Sequence, residues 1–230
     1  MGFHYLSHAT SDSKHGIIAD IEVTGGDAGD VSIYPERIKY IKEKSGFKIS
    51  EAVGDSGYNR AIAHYLLSKE NIELYTPLIE NRKKSKTEIT RKDLIYNEQN
   101  DYFVCPSGAL LTYANIERSE NGEVFKVYRT KTKDCRNCPD YKKCIAPSKK
   151  QKIIRVNVLE PFINKGKELA ETKRFKELMK YRQIIAEGNH ATQKQYHNLD
   201  RTRKRGMSNV LEHCLFSAMA LNLKRPVKYA

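Results

Sequence analysis

Alternating apolar and polar positions open the chain. FHYLSHAT and HGIIADIEVT read as two strands separated by the turn residues Ser11-Asp12-Ser13-Lys14. In the second run Ile17, Ala19, Ile21 and Val23 share one face while Asp20 and Glu22 fall on the other, the period-two pattern of a half-buried strand. Gly25-Gly26-Asp27 ends it. A helix is expected over Val31 to Lys44, with Ile33, Ile38 and Ile41 as its apolar content and Asp30 as its cap. A buried strand over Ile49 to Val53 follows, closed by Gly54-Asp55-Ser56-Gly57. A helix over Asn59 to Lys69 and a strand over Ile72 to Pro77 complete a strand-helix-strand order, which implies a parallel pair.

The pattern changes at Asn81. NRKKSKTEITRK is a basic run, and up to about residue 160 the chain holds short strand-like stretches (DYFVC, LLTYANI, VFKVYRT) without helical period. Asn121-Gly122 is a hairpin signal between the last two. Helical periodicity returns at Pro161, placed in a first turn, and continues through KGKELAETKRFKELMKYRQ. A last helix over Ser208 to Lys224 carries Val210, Leu211, Cys214, Leu215, Ala218 and Leu221 as an i, i+3, i+4, i+7 stripe, and Pro226 is expected to stop it. The division is therefore residues 1–80 as the first part of an α/β core, 81–160 as a β-rich insertion, and 161–230 as the helical second part of the core.

Composition narrows the partners. An apolar fraction of 39%, with 14 Tyr and 7 Phe, is enough for a folded core. The formal charge of +13 favours a polyanion, of which nucleic acid is the commonest. No stretch reaches the run of about 18 apolar residues that a membrane-spanning helix needs, and no secretory signal pattern is present. A cytoplasmic protein without a membrane partner is the expectation.

Three groups of residues can carry chemistry. Asp55 lies at the carboxyl end of a strand in a βαβ unit, where polar sites gather, between glycines that permit close approach of a ligand. Turn chemistry alone also places Asp in such loops. Glu187 stands on a helix, with Arg182 before it and Lys194 two turns after it on nearly the same face. Cys105-Pro106, Cys135-x2-Cys138-Pro139 and Cys144 offer four thiolates, the number zinc takes in structural sites. Reduced cysteines or a disulfide are the alternative. Basic residues form two patches, Arg82, Lys83, Lys84, Lys86, Arg91 and Lys92, then Arg201, Arg203, Lys204 and Arg205. Such patches bind phosphates with strong salt dependence.

The stretches YLSHATSDSKHGIIADIEVT, AVGDSGYN, the CP and CxxCP segments, AEGNHATQK and QYHNLDRTRKRGMSNVLEHCLFSAMALNLKR together resemble a DDE transposase of bacterial insertion sequences. The similarity is to the group with a cysteine-containing insertion before the final Glu. It implies an RNase H-like mixed sheet with flanking helices and metal-dependent cleavage and transfer of DNA strands. It also implies Mg2+, or Mn2+ in its place, and the terminal repeats and target DNA as partners, and it admits a homodimer. On this resemblance Asp55 is the second acid, Glu187 the third, and Arg182 and Lys194 the flanking DNA contacts. Tyr181 and Arg182 are adjacent where the group separates them by two residues, and His190-Ala191 stands where an aromatic-Gly pair is common. The group's first acid lies on a strand upstream of YLSHAT, so a missing first strand and an inactive fragment are expected. Asp20 and Glu22 are the weak substitutes. A zinc-stabilised DNA-binding or regulatory module without catalysis is the rival reading.

Overall fold

The computed structural model describes residues 4–26, 30–79, 87–120 and 122–229. The chain divides into two compact units, one formed by 1–79 with 162–230 and the other by 80–161. The composition change at Asn81 and the return of helical period at Pro161 stand beside these divisions.

In the first unit, β1 (Tyr5–Ser11) and β2 (Ile18–Gly25) form an antiparallel hairpin. Asp12 builds its turn by accepting the backbone N–H groups of Lys14, His15 and Ile17 at 2.8 Å each. The register slips between Thr10 and Ser11, so that Thr10 faces Asp20 while Ser11 faces Ile18. This bulge corrects the expected face. Ile18, Ile21 and Val23 are buried, whereas Ile17 and Ala19 are exposed, because one extra residue at Ala19 reverses the alternation.

Next come α1 (Asp30–Ser45), β3 (Glu51–Val53), α2 (Ala61–Lys69) and β4 (Glu73–Tyr75). The cap expected from the side chain of Asp30 lies outside the described side chains. The two strands pair in parallel, Ala52 opposite Leu74, and are shorter than the sequence suggests. Ile38, Ile41, Ala52, Ala63, Leu67, Ile72 and Leu74 make their core.

After the second unit the chain returns through α5 (Glu160–Ala170) and α6 (Lys173–Arg182). A π-helical turn over Gln183–Glu187 leads into α7 (Gly188–His197), and α8 (Met207–Tyr229) follows. Helix α8 packs on the hairpin through Val210, Cys214, Ala218 and Leu221, against Ile18, Ile21 and Val23. Asn222 fixes this contact, accepting Ile18 N–H and donating to Ile18 C=O, each at 2.9 Å. Two details of this helix depart from expectation. Leu215 is 44% exposed, off the buried stripe. The helix also continues through Pro226, where the lost N–H removes one bond of the final turns and leaves the helix intact.

The second unit is a five-stranded antiparallel sheet in sequence order, β5 (Ile95–Asn97), β6 (Tyr102–Val104), β7 (Leu110–Arg118), β8 (Val124–Arg129) and β9 (Ile153–Asn157). Two short helices, α3 (Thr132–Arg136) and α4 (Tyr141–Cys144), lie between β8 and β9. They and β9 carry no distinct sequence signal. The β7–β8 turn closes through Ser119 and Glu123, with Gly122 at φ +78°, a left-handed conformation that suits glycine. Asn121 lies outside the described residues. Leu94, Phe103, Leu111, Tyr128 and Ile154 form the core.

The described strands form two two-stranded sheets in the first unit and one five-stranded sheet in the second, where the sequence suggested a mixed sheet for the core and a separate β-rich insertion. The protein is of mixed α/β class.

Candidate functional site

Asp55 is placed by the end of β3. Gly54 N–H donates to Tyr75 C=O at 3.0 Å, extending the parallel pairing by one residue. A side chain at Gly54 would put its Cβ 3.1 Å from the Tyr58 ring, which would have to shift by a few tenths of an ångström. Asp55 is exposed and extended, and its Oδ1 accepts Gly57 N–H at 2.8 Å, which starts a single 3-10 turn over Ser56–Tyr58. Its other carboxylate oxygen has no protein partner among the described residues. The loop therefore uses Asp55 as a turn builder and still leaves acceptor capacity to solvent.

Glu187 ends the π-helical turn. Residues five apart on an α-helix point about 140° away from each other. The wider π turn brings them together, and Arg182 Nη1 donates to Glu187 Oε1 at 2.8 Å. Glu187 is exposed. Lys194 is exposed on α7, one turn beyond His190, whose pKa is lowered by burial and by the Lys194 charge. The π turn ends at Glu187, and the helix is regular α from Gly188 through Lys194.

Tyr34 on α1 lies beside the Asp55 loop. Its hydroxyl donates to Val53 C=O at 3.0 Å, and its ring lies 4.6 Å from that of Tyr58. Burial raises its pKa strongly. Tyr58 adds to the shift, Arg182 opposes it and Asp55 adds to it. Asp55 and Arg182, the partner of Glu187, therefore both act on one phenol. Among the described residues no three Asp, Glu, His or Cys side chains are arranged to enclose a metal ion.

Asp20 and Glu22 are engaged elsewhere. Arg37 of α1 donates through Nε to Asp20 Oδ2 at 2.7 Å and through Nη2 to Oδ1, and its Nη1 lies 3.2 Å from Glu22. The Asp20 side chain is 8% exposed. Tyr34 and Arg37 both escape a reading of the sequence, since nothing in their neighbours marks them.

The segment after α7 is held from behind. Asn198, at φ 54°, ends the helix in a left-handed conformation. His213 of α8 is hydrogen-bonded to His197 C=O at 2.9 Å and to Thr202 Oγ1 at 3.0 Å, and Gly206 N–H donates to Tyr5 Oη at 3.0 Å. Arg201, Arg203, Lys204 and Arg205 are all exposed on this anchored loop, with Lys204 3.3 Å from Glu212. Of the other patch, Arg91 makes two bonds of 2.6 Å to Glu160 and Lys92 is exposed. Arg82, Lys83, Lys84 and Lys86 lie outside the described residues. Upstream, Asn189 is buried and donates to Ser11 Oγ and Gly16 C=O at 3.0 Å, and it accepts from Arg225. These bonds seat the start of α7 on the β1–β2 turn.

In the second unit, Cys105, Cys135, Cys138 and Cys144 line one cavity of about 20 Å³. Cys135 is buried and the other three are half-buried. The Cys138 thiol donates to Ser107 Oγ at 3.2 Å, and Cys135 Sγ lies 3.0 Å from Thr130 Oγ1. Burial pushes the Cys144 thiol up, Lys152 opposes this, and the charges of Cys105, Cys135 and Cys138 add to it. Cys214, by contrast, is buried in the core of the first unit.

The chain thus carries an acid at a strand end, an acid on a helix, a basic loop and a cysteine cavity. A family model described as a transposase DDE domain matches residues 104–227, more than half of the chain. The chain belongs to that family. The matched region contains the four cysteines, Glu187, Lys194 and the basic loop, while Asp55 lies before it. No curated protein and no solved structure matches the chain. Domains of this family serve DNA transposition and generally use divalent metal ions. Among the described residues, no helix is long and apolar enough to cross a membrane.

Proposed function

We propose that Asp55 and Glu187 are two acids of a metal-dependent site that cleaves and transfers DNA strands at insertion-sequence ends. What supports this reading is Tyr34, which is hydrogen-bonded to Val53 at the start of the Asp55 loop, packs its ring on Tyr58 just past Asp55, and feels the charge of Arg182, the partner of Glu187. Both acids are exposed and keep oxygens available, the donor type that Mg2+ or Mn2+ prefers. Bound there, a divalent ion would polarise a phosphate oxygen and lower the pKa of an attacking water. Arg182 holds the Glu187 carboxylate in place until an ion takes it. Lys194, with the loop bearing Arg201, Arg203, Lys204 and Arg205, binds backbone phosphates of terminal repeats and target DNA, which fixes register without reading sequence.

Among the described residues no third carboxylate completes the site. Asp20 and Glu22, the acids available as a third ligand, are committed to Arg37. The hairpin β1–β2 and the parallel pair β3–β4 each have both outer strand edges unpaired among the described residues. His8 of β1 is hydrogen-bonded to Tyr58, just past Asp55, at 3.1 Å. A further strand between β1 and β3 would join the pairs into one mixed sheet of RNase H-like order and supply the missing acid. Alone, the chain neither cleaves nor joins DNA.

Iron-directed cutting tests this. Fe2+ in place of Mg2+, with ascorbate and peroxide, should cut the chain near both residue 55 and residue 187, and Asp55→Asn should remove both cuts. Cuts that persist in that variant would refute the shared site. No cuts, with salt-dependent DNA binding intact, would establish a DNA-binding module instead. Strong Mg2+-dependent strand transfer by the chain alone, abolished by Asp55→Asn, would overturn the incompleteness.

A further inference from the structure

The second unit holds a feature that strand transfer at Asp55 and Glu187 does not use. Three separate chain segments deliver thiols to one cavity of about 20 Å³. That is close to the volume of one water-sized sphere, far too small for an organic ligand. Cys105 enters from a tight turn after β6, closed by Gly108 N–H to Cys105 C=O at 2.8 Å and Cys105 N–H to Ala109 C=O at 2.9 Å. Cys135 and Cys138 enter from the end of α3, where Cys138 N–H donates to Cys135 C=O at 3.1 Å. Cys144 ends α4. We propose that Cys105, Cys135, Cys138 and Cys144 bind one Zn2+ as a closed tetrathiolate centre that fastens α3 and α4 to the sheet of the second unit.

Two independent observations favour an ion over four idle thiols. Helices of five and four residues cannot hold themselves together, since helix nucleation is costly and the gain per residue is small. The core beneath them is five residues, so a metal tie supplies what apolar burial does not. The second observation is Lys152, which lines the same cavity and is only 8% exposed. Its ammonium donates to Ile89 C=O at 2.6 Å and Cys144 C=O at 3.0 Å, yet it makes no ion pair with a carboxylate among the described residues. Asp93 acts on it only from a distance, and a buried ammonium gains from a closer counter-charge. Four thiolates around Zn2+ carry a net charge of −2 and would set that charge against Lys152. The thiols of Cys135 and Cys138 now lie against the hydroxyls of Thr130 and Ser107, so side-chain rotation has to accompany enclosure of the ion. Binding releases the thiol protons to solvent. The centre is independent of the acids of the first unit.

The whole chain, purified reducing and without chelator, should carry about one zinc per chain, released by a mercurial thiol reagent. Replacement by Co2+ should give the visible bands of tetrahedral cobalt with strong sulfur-to-metal charge transfer. Cys138→Ser should lose the metal, whereas Cys214→Ser should keep it. The cobalt spectrum of the unmutated chain decides the matter even if Cys138→Ser fails to fold. Metal content well below one per chain, disulfides among the four cysteines, or an octahedral cobalt spectrum would each overturn the proposal.

Discussion

Gly166, in the middle of α5, packs against the imidazole of His64 on α2. A Cβ built at residue 166 would lie 2.4, 2.8 and 3.0 Å from three atoms of that ring. The ring cannot easily yield. It is buried and bonded through Nε2 to Asn59 Oδ1 at 3.1 Å, and Asn59 in turn donates to Pro77 C=O at 3.2 Å. Gly166→Ala therefore sets two effects against each other. Alanine gains about 0.5–1 kcal/mol of helix stability over glycine. Overpacking a fixed core costs about 1–3 kcal/mol, and contact with three ring atoms puts this site toward the upper end. The clash wins, and the variant should lose about 1–2 kcal/mol. Removing the ring removes the conflict. In a His64→Ala background the same substitution should stabilise by about 0.5–1 kcal/mol, giving a coupling of roughly 2–3 kcal/mol between the sites. Urea unfolding followed by far-ultraviolet circular dichroism, on the four proteins of the cycle, measures this. Stabilisation by Gly166→Ala in both backgrounds would refute the packing assigned to α5 and α2.

Two other outcomes follow from buried charge. Burial lowers the His64 pKa from 6.5 to about 4, so the unfolded chain takes up a proton that the folded chain resists. Stability contributed by neutral His64 is complete above pH 6.5 and falls as pH drops from there to about 4, by up to about 3 kcal/mol at one pKa unit per 1.36 kcal/mol. Urea midpoints measured across that range should fall less steeply for His64→Gln, and equal slopes would refute the assignment. Arg37→Ala leaves the Asp20 carboxylate buried and unpaired, with Asp20 8% and Arg37 25% exposed. The loss should be about 2–3 kcal/mol, between the surface and buried limits, and thermal unfolding reads it. Recovery with Asp20→Asn in the same chain would show that the stranded charge, more than lost packing, is the cause.

Much of the local structure was legible along the chain. The turn at Asp12, the helices over 30–45 and 61–69, and the long last helix follow from period, glycine and cap residues, since these act within a few residues of one another. Cys105, Cys135, Cys138 and Cys144 could be singled out by spacing, and Glu187 and Asp55 by the company they keep. What failed to show were features set by distant partners. The bulge at Ala19 buries Ile18 in place of Ile17 and Ala19 at the start of β2, and only pairing with β1 reveals it. The π turn before Glu187 has no sequence mark, yet it alone lets Arg182 reach the carboxylate.

By itself the sequence determined the order of elements, the basic character and the residue types that chemistry would use, because hydrophobic period and side-chain chemistry are properties of short stretches. Only the tertiary structure decided that four thiols and a buried Lys152 share one cavity, that Arg37 neutralises Asp20 and Glu22, and that Tyr34 lies in range of both Asp55 and Arg182. Those are distances between residues far apart in the chain, and they are fixed by the packing of helices on sheets.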